Sequence, residues 1–376
     1  MYDQIREDTL FIILYTGVTF MAMIASFYLL FRRANAIAPD VTSSVRLRRW
    51  TGAFFASVAL SHVWYMPIFF LSSSEDIVMT DLIGGLLDFI TFFPLAIIVL
   101  FAMLQDRRRP LWPVAAMMAP LVAVGIFTAA NRTYALLPVA YAYVLLMCIG
   151  LIIYMVREVR QYGRWLRDNY ADLEHKEVWQ SFVVLSIILL VFGIYAFIYE
   201  GAVFQYAMQV FYVLLICYLL WRVETLSDLS ISSPQDLPVE ADGSLGNHTG
   251  TTEDEEVNAI SLTSNIGPLL KQHCEEPQLY LQHDLTLLQL ATLIGINRSY
   301  LSKHFAAQGI NYNTYINGLR IQHFINLYHE SVQNHQPILN KQLAYQSGFR
   351  SYSTFGVAFK QIMGMTATEW MRRQTE

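Results

Sequence analysis

Cationic and short polar side chains occur together in two segments near the C-terminal end of the chain. The first segment holds Asn297, Arg298, Ser299, Tyr300, Ser302 and Lys303. The second segment has the same character and holds Arg350, Ser351, Tyr352, Ser353, Thr354 and Lys360. Arginine and short polar side chains hydrogen-bond to base edges, and cations contact phosphates. These residues are therefore predicted to contact double-stranded DNA.

Helix-start and turn signals position the first segment. Thr286 and Gln289 have the spacing of a capping box, which begins a helix. Gly295 supplies the turn, because a positive φ is costly for a residue with a side chain. Asn297 then caps the next helix. The apolar positions predicted to face inward are Leu287, Leu290, Ala291, Ile294, Leu301 and Phe305. The pattern predicts a helix-turn-helix unit with Arg298 and its polar neighbours outward.

A second unit follows the same logic. A helix over 340–347 is ended by Gly348, and a second reading helix follows with Phe355 and Phe359 inward. Between the units, the stretch from Tyr312 to Glu330 has a helical pattern. Its predicted core residues are Tyr315, Ile316, Leu319, Ile325 and Leu327. A stiff connecting helix would let the two reading helices enter major grooves one turn, about 34 Å, apart.

At these residues the chain resembles the AraC/XylS family of transcription regulators, over residues 285–373. The most specific positions are Gly348, Phe349, Ser353, Phe355, Phe359, Lys360, Gly364, Met365, Thr366 and Trp370. The resemblance implies an all-α domain that contacts two adjacent groove segments and activates or represses promoters. Carried over by position, the DNA contacts are Asn297 to Lys303 and Ser351 to Thr354. The family often has Ser-Arg where this chain has Gly356-Val357, which removes a donor and a cation from the second reading helix.

The N-terminal part has a different composition. The chain is 55% hydrophobic and 15% charged, and the apolar excess lies before Glu224. A spanning helix needs about 20 mostly apolar residues. Seven such runs are predicted: Thr9–Phe31, Trp50–Ser72, Leu82–Leu104, Leu111–Ala130, Tyr134–Val156, Val178–Tyr199 and Val203–Trp221. The predicted fold class is all-α, with a seven-helix transmembrane bundle in residues 1–223.

Basic residues predict the orientation of this bundle. Fourteen lysines and arginines fall on one side of the predicted spans and two on the other. Basic loops face the cytoplasm, so the N-terminus is expected outside and the C-terminal part in the cytoplasm. The expected location is the lipid bilayer of a bacterial inner (cytoplasmic) membrane.

An acidic linker is predicted between the two parts. Residues 224–256 hold nine acids and no base, and they end in Glu253 to Glu256. This composition predicts a disordered tether. Residues 257–376, by contrast, hold nine bases and six acids, as expected for a DNA-binding domain. The acidic run is either a solvated spacer or a competitor of DNA for the basic domain.

Two ionisable side chains, His62 and Asp88, lie inside predicted spans. Their depths differ by about 6 Å, so they could pair. Intramembrane ionisable groups are candidates for function, so this pair is either a site for an unknown signal ligand or a structural hydrogen bond between helices. No nucleophile elbow, P-loop or metal-ligand spacing is present. We therefore expect no catalytic residues, cofactor or metal.

The combination predicts a membrane-embedded one-component transcription regulator. A signal would shift the bundle between states and change linker release or association into a homodimer. Two alternatives remain open at this stage. The bundle could be a transporter or an intramembrane enzyme with an autoregulatory DNA-binding tail, or the C-terminal helices could bind protein rather than DNA.

Overall fold

The computed structural model describes residues 8–131, 135–198, 202–229, 266–337 and 339–375. Within these ranges the chain is helical apart from turns, loops and two isolated β-bridges. Contacts divide the chain into two units. The first comprises Met1–Tyr162 and His175–Ile231, and the second comprises Gly163–Glu174 and Ser232–Glu376.

The described helices that begin in the first unit are long and apolar. They are α1 (Thr9–Phe31), α2 (Val45–Tyr65), α3 (Ser74–Ile90), α4 (Phe92–Met103), α5 (Trp112–Asn131), α6 (Leu137–Asn169), α7 (Trp179–Ile198) and α8 (Ala202–Thr225). The last turns of α6, from Gly163 onward, are grouped with the second unit.

Several of these helices have the length and composition of membrane spans. In the described residues, six stretches qualify: Thr9–Phe31, Val45–Phe69, Ser74–Met103, Trp112–Asn131, Pro138–Asn169 and Val203–Thr225. The remaining predicted span coincides with α7 (Trp179–Ile198), of which Trp179–Ile188 is an apolar helical stretch. The count of seven spans therefore stays a prediction. Large apolar side chains such as Phe31, Leu146 and Leu214 are exposed.

Prolines interrupt two of the predicted spans. The helix α2 ends at Tyr65, and Pro67 lies in the 3₁₀ turn Met66–Phe69 that follows. The third predicted span is two helices, because α3 ends before Thr91 and α4 begins after it. Pro94 has no N–H to donate to the carbonyl of residue 90, so the break lies one turn before it. The break places Asp88 in the last turn of α3.

The predicted linker begins within a packed helix. The helix α8 continues to Thr225, and the Glu224 side chain is buried. Its carboxylate accepts hydrogen bonds from the backbone N–H groups of Ala36 and Ile37 at 3.0 and 2.8 Å. It also faces the buried Arg48 guanidinium at 3.8 Å. Glu224 is therefore part of a buried polar network, whereas residues 230–256 of the predicted linker lie outside the described residues.

The second unit contains six labelled helices among its described residues. They are α9 (Leu287–Leu293), α10 (Arg298–Ala307), α11 (Tyr312–Gln333), α12 (Asn340–Gln346), α13 (Tyr352–Met363) and α14 (Ala367–Thr375). A helical segment over residues 266–275, which ends in a π-helical turn, precedes them.

Two hydrophobic clusters form the core of this unit, and α11 contributes to both. Ile316 packs in the first cluster with Leu290, Leu301 and Phe305. Phe324 packs in the second cluster, which also contains Phe349, Phe355, Phe359 and Trp370. The helix therefore joins the two helix-turn-helix units, as the sequence predicts.

The buried face of α11 differs from the predicted one. Ile316 is buried as expected, whereas Tyr315, Leu319, Ile325 and Leu327 are only partly buried at the edges of the two clusters. The fully buried positions between the clusters include Arg320. The apolar residues Ile321, Phe324 and Tyr328 are also buried, so the inward face was assigned to the wrong positions, and a buried arginine was not considered.

Candidate nucleic-acid interface

Local hydrogen bonds fix the first helix-turn-helix unit. The backbone N–H of Gln289 donates to the Thr286 hydroxyl at 3.2 Å, and the Thr286 N–H donates to the Gln289 side-chain oxygen at 2.9 Å. Gly295 has a φ of +72°. The Asn297 side chain accepts from the Ser299 N–H at 2.8 Å. The predicted capping box, glycine turn and cap are confirmed, and α10 begins at Arg298.

Among the predicted DNA contacts, Ser299 and Lys303 lie on the exposed side of α10, whereas Tyr300 packs against the edge of the first hydrophobic cluster. Leu301 and Phe305 are buried inward. Asn297, Ser299 and Lys303 are exposed, while Arg298, Tyr300 and Ser302 are half-buried. The Lys303 ammonium lies 5.9 Å from the centroid of the Tyr300 ring, within the range of a cation–π contact.

The second helix-turn-helix unit has the same arrangement. Gly348 has a φ of +86°, and a Cβ there would lie 2.7 Å from the Leu281 Cα, so the turn requires glycine. The Ser351 hydroxyl accepts from the Thr354 N–H at 3.2 Å and caps α13. Phe355 and Phe359 are buried. The exposed predicted contacts are Arg350, Tyr352, Ser353 and Lys360, and the half-buried ones are Ser351 and Thr354.

Arg320 is buried between the two helix-turn-helix units and connects them, a role that the sequence did not predict. Its guanidinium donates to the backbone carbonyls of Tyr280 and Gln282, each at 2.7 Å. It also lies 5.6 Å from the centroid of the Phe349 ring. Burial lowers the pKa of Arg320 to about 10, while Tyr312 and acidic neighbours act in the opposite direction. Arg320 thus positions residues 280–282 against the turn at Gly348. The available sequence signal was its place four residues after Ile316 and four before Phe324.

The segment Gly163–Glu174 packs inside the second unit. The Asn313 amide donates to the carbonyls of Ala171 and Tyr170 at 2.7 and 3.2 Å. Ala171 is fully buried in the first hydrophobic cluster. Tyr170 forms an antiparallel β-bridge with Thr286, the cap of α9. The end of α6 and the loop after it are therefore anchored to the first helix-turn-helix unit.

Acidic side chains of the segment 163–174 interact with predicted DNA contacts of both helix-turn-helix units. The Thr354 hydroxyl donates to the Glu174 carboxylate at 3.0 Å. In the first helix-turn-helix unit, burial lowers the pKa of the Arg298 guanidinium, and interactions with Tyr170 and Asp168 oppose that change. Arg350 lies 3.4 Å from another acid, Asp284. One predicted contact residue in each predicted reading helix thus interacts with the segment 163–174.

The other two predicted site residues, His62 and Asp88, line one cavity of about 250 Å³ in the first unit. The His62 Nε2 is 3.0 Å from the Gln209 side-chain oxygen. The Asp88 Oδ2 accepts hydrogen bonds from the hydroxyls of Tyr65 and Ser61 at 3.1 and 3.4 Å. The structure therefore brings His62 and Asp88 to the same cavity, with each bonded to other residues.

Two capped helix pairs joined through α11 define a domain of the helix-turn-helix class. Residues 290–373 match the family described as "Helix-turn-helix domain", a range that includes both reading helices. The match agrees with the AraC-type resemblance of this part of the chain.

The matched relatives are named as regulators. The chain is 29% identical over 122 residues to the "TCP pilus virulence regulatory protein" of Vibrio cholerae serotype O1, which covers 31% of this chain and 41% of the relative. It is also 29% identical over 102 residues to an "Uncharacterized HTH-type transcriptional regulator" of Staphylococcus aureus, covering 27% of this chain and 13% of that protein. The chain thus spans less than half the length of these relatives. No solved structure matches it.

Proposed function

We propose that the chain is a membrane-embedded one-component transcription regulator. Its tandem helix-turn-helix domain binds promoter DNA sequence-specifically in response to a signal received by residues 1–223. The observation that carries the proposal is the pair of capped reading helices, α10 and α13, each with polar and cationic side chains opposite its buried face. The names of the relatives support transcription regulation.

The DNA-binding part of the proposal is tested by mapping the genomic sites that the intact protein occupies. We expect discrete promoter sites for the wild type. The double variant Arg298→Ala/Lys303→Ala loses them, because it removes two cations from the first reading helix. A control variant, Lys271→Ala, removes an exposed cation of the same unit outside both reading helices. Occupancy that does not exceed random duplex would refute DNA reading.

The membrane part of the proposal rests on composition and surface. Helices of spanning length carry exposed apolar side chains, which lipid would cover. The uneven basic loops favour an N-terminus outside and a cytoplasmic DNA-binding domain. We expect the full chain in the inner-membrane fraction. A reporter that works only in the cytoplasm should be active when fused to the C-terminus, and a reporter that works only outside it should be inactive there. Recovery in the aqueous fraction contradicts this topology.

We further propose that the segment 163–174 conveys the signal. It contains the last turns of α6 and the loop that follows. Its Glu174 carboxylate accepts the hydroxyl hydrogen of Thr354, and its Asp168 interacts electrostatically with Arg298, and both partners are predicted DNA contacts. Acids at those positions repel phosphates, and the Glu174 carboxylate uses the hydroxyl hydrogen of Thr354. A signal that favours the undocked segment would free both reading helices. Such a signal must bind the two states with different affinity, because equal affinity shifts no equilibrium.

A further inference from the structure

The cavity that contains His62 and Asp88 has an unusual lining for a helical bundle. It lies among α1, α2, α3, α8 and the 3₁₀ turn after α2. Four of its walls are the aromatic rings of Tyr15, Tyr65, Phe69 and Tyr212. Two carboxylates, Asp81 and Asp88, line it as well, and none of its lining residues in the described chain is a lysine or arginine. The cavity therefore carries two carboxylates and a histidine, without a lysine or arginine among its described lining residues.

The Asp88 carboxylate keeps hydrogen-bonding capacity beyond its tyrosine, serine and tryptophan partners. Its Oδ2 accepts from Tyr65 and Ser61, and the Trp64 indole N–H is a further donor to the carboxylate. The two oxygens of a carboxylate offer about four acceptor positions, so one is left for a ligand. His62 does not fill that position, since its ring nitrogens face the Val58 carbonyl at 2.8 Å and the Gln209 side chain at 3.0 Å. A buried acceptor is favourable only when a donor reaches it. A ligand with an N–H group would supply that donor.

The aromatic walls further restrict the class of ligand that the cavity can bind. Tyr15 packs edge-on against Phe69 at 5.2 Å between centroids, and His62 packs edge-on against Tyr212 at 5.1 Å. Aromatic faces beside a carboxylate are a common arrangement for binding organic cations. An anion would meet two carboxylates, and a hydrocarbon chain would leave the Asp88 carboxylate without a counter-ion. Both are disfavoured.

We propose that this cavity binds an organic ammonium group, with Asp88 as its counter-ion and the surrounding rings as its walls. The volume of about 250 Å³ suits a small amine or a lipid headgroup. In the predicted topology, the helix ends that line the cavity lie on the outer side, where either source is available. That this ligand acts as the signal rests on the function proposed above, whereas the binding itself does not.

The test uses the full-length protein in nanodiscs and measures calorimetric binding of 2-phenylethylamine. The neutral isostere 2-phenylethanol is the ligand control. We expect saturable amine binding in phosphatidylglycerol nanodiscs and about tenfold or weaker binding of the alcohol. Adding phosphatidylethanolamine to the nanodiscs should weaken amine binding if a lipid headgroup is the natural occupant, and leave it unchanged if a free amine is.

Variants locate the site. Asp88→Asn should weaken amine binding by about tenfold or more, because it removes the counter-ion and keeps the shape. Asp76→Asn removes an exposed acid of the same helix and should bind like the wild type. Tyr212→Leu, which removes a ring and keeps the carboxylate, should also weaken binding, and circular dichroism checks that each variant keeps its helix content.

Equal amine binding by Asp88→Asn, equal affinity for the alcohol, or no amine binding in phosphatidylglycerol nanodiscs overturns the ammonium site. Promoter binding is measured on the same samples. Promoter binding without amine binding rejects the cavity proposal alone. Amine binding without promoter binding keeps the cavity and rejects the regulator.

Discussion

The hydroxyl of Thr354 donates a hydrogen bond to the carboxylate of Glu174 at 3.0 Å. Thr354 lies in the first turn of α13, where a DNA contact is predicted, and Glu174 lies just beyond the end of α6. A carboxylate oxygen there occupies the kind of position that a phosphate or base acceptor would take. The predicted second reading helix, α13, is therefore hydrogen-bonded to another segment of its own chain at a position predicted to contact DNA.

Glu174→Gln is predicted to raise the DNA affinity of the full-length protein several-fold. The substitution keeps the side-chain size but removes a negative charge that repels phosphates. Fluorescence anisotropy with promoter duplex in nanodisc-embedded protein measures the change. Glu276→Gln removes one charge from an exposed site of the same unit and controls for net charge. If both variants gain affinity equally, the effect is general electrostatics and the proposed competition fails.

Arg298→Ala is predicted to cost roughly 1–3 kcal/mol of specific binding and to relax preference at one base pair, as expected for a bidentate contact to guanine. Arg298→Lys keeps the charge but cannot form the paired hydrogen bonds. It should therefore recover non-specific affinity without the base preference. Selection from a randomised duplex library measures both properties. An unchanged preference in both variants would mean that Arg298 contacts only the backbone.

The salt dependence of binding is predicted from the cations of the reading helices. With about four phosphate contacts, among them those of Lys303, Arg350 and Lys360, log K should fall with log salt at a slope near −3.6. Lys360→Ala should make that slope shallower by about 0.9. Lys341→Ala, an exposed cation on α12, is the comparison. An isotherm that hardly changes with salt would contradict groove binding.

The features that the sequence predicted well are local. The capping box of Thr286 and Gln289, the positive φ of Gly295 and the cap at Asn297 each depend on a few neighbouring residues. Arg320 and the contacts of Ala171 could not be predicted this way. Arg320 is buried by carbonyls some forty residues earlier in the chain, and Ala171 joins a core formed by a distant segment.

The membrane part shows the same division. Long apolar stretches were recognisable from composition, whereas the burial of Glu224 depends on contacts with residues that are distant in sequence. The sequence singled out His62 and Asp88 as ionisable side chains inside apolar helices. Their shared cavity required the three-dimensional arrangement, because Gln209, the partner of His62, is distant in sequence.

Gly348→Ala is predicted to destabilise the second helix-turn-helix unit more than Gly364→Ala. Both glycines have positive φ, +86° and +73°, so each alanine carries a backbone cost of about 1–2 kcal/mol. Only at Gly348 would the new Cβ meet backbone, 2.7 Å from the Leu281 Cα, whereas nothing lies within 4 Å at Gly364. Because Arg320 holds residues 280–282 in place, the clash cannot relax without loss of those hydrogen bonds. Thermal unfolding and promoter binding of the two variants provide the comparison, and an equal loss in both would show that the turn at Gly348 yields without disturbing the Arg320 contacts.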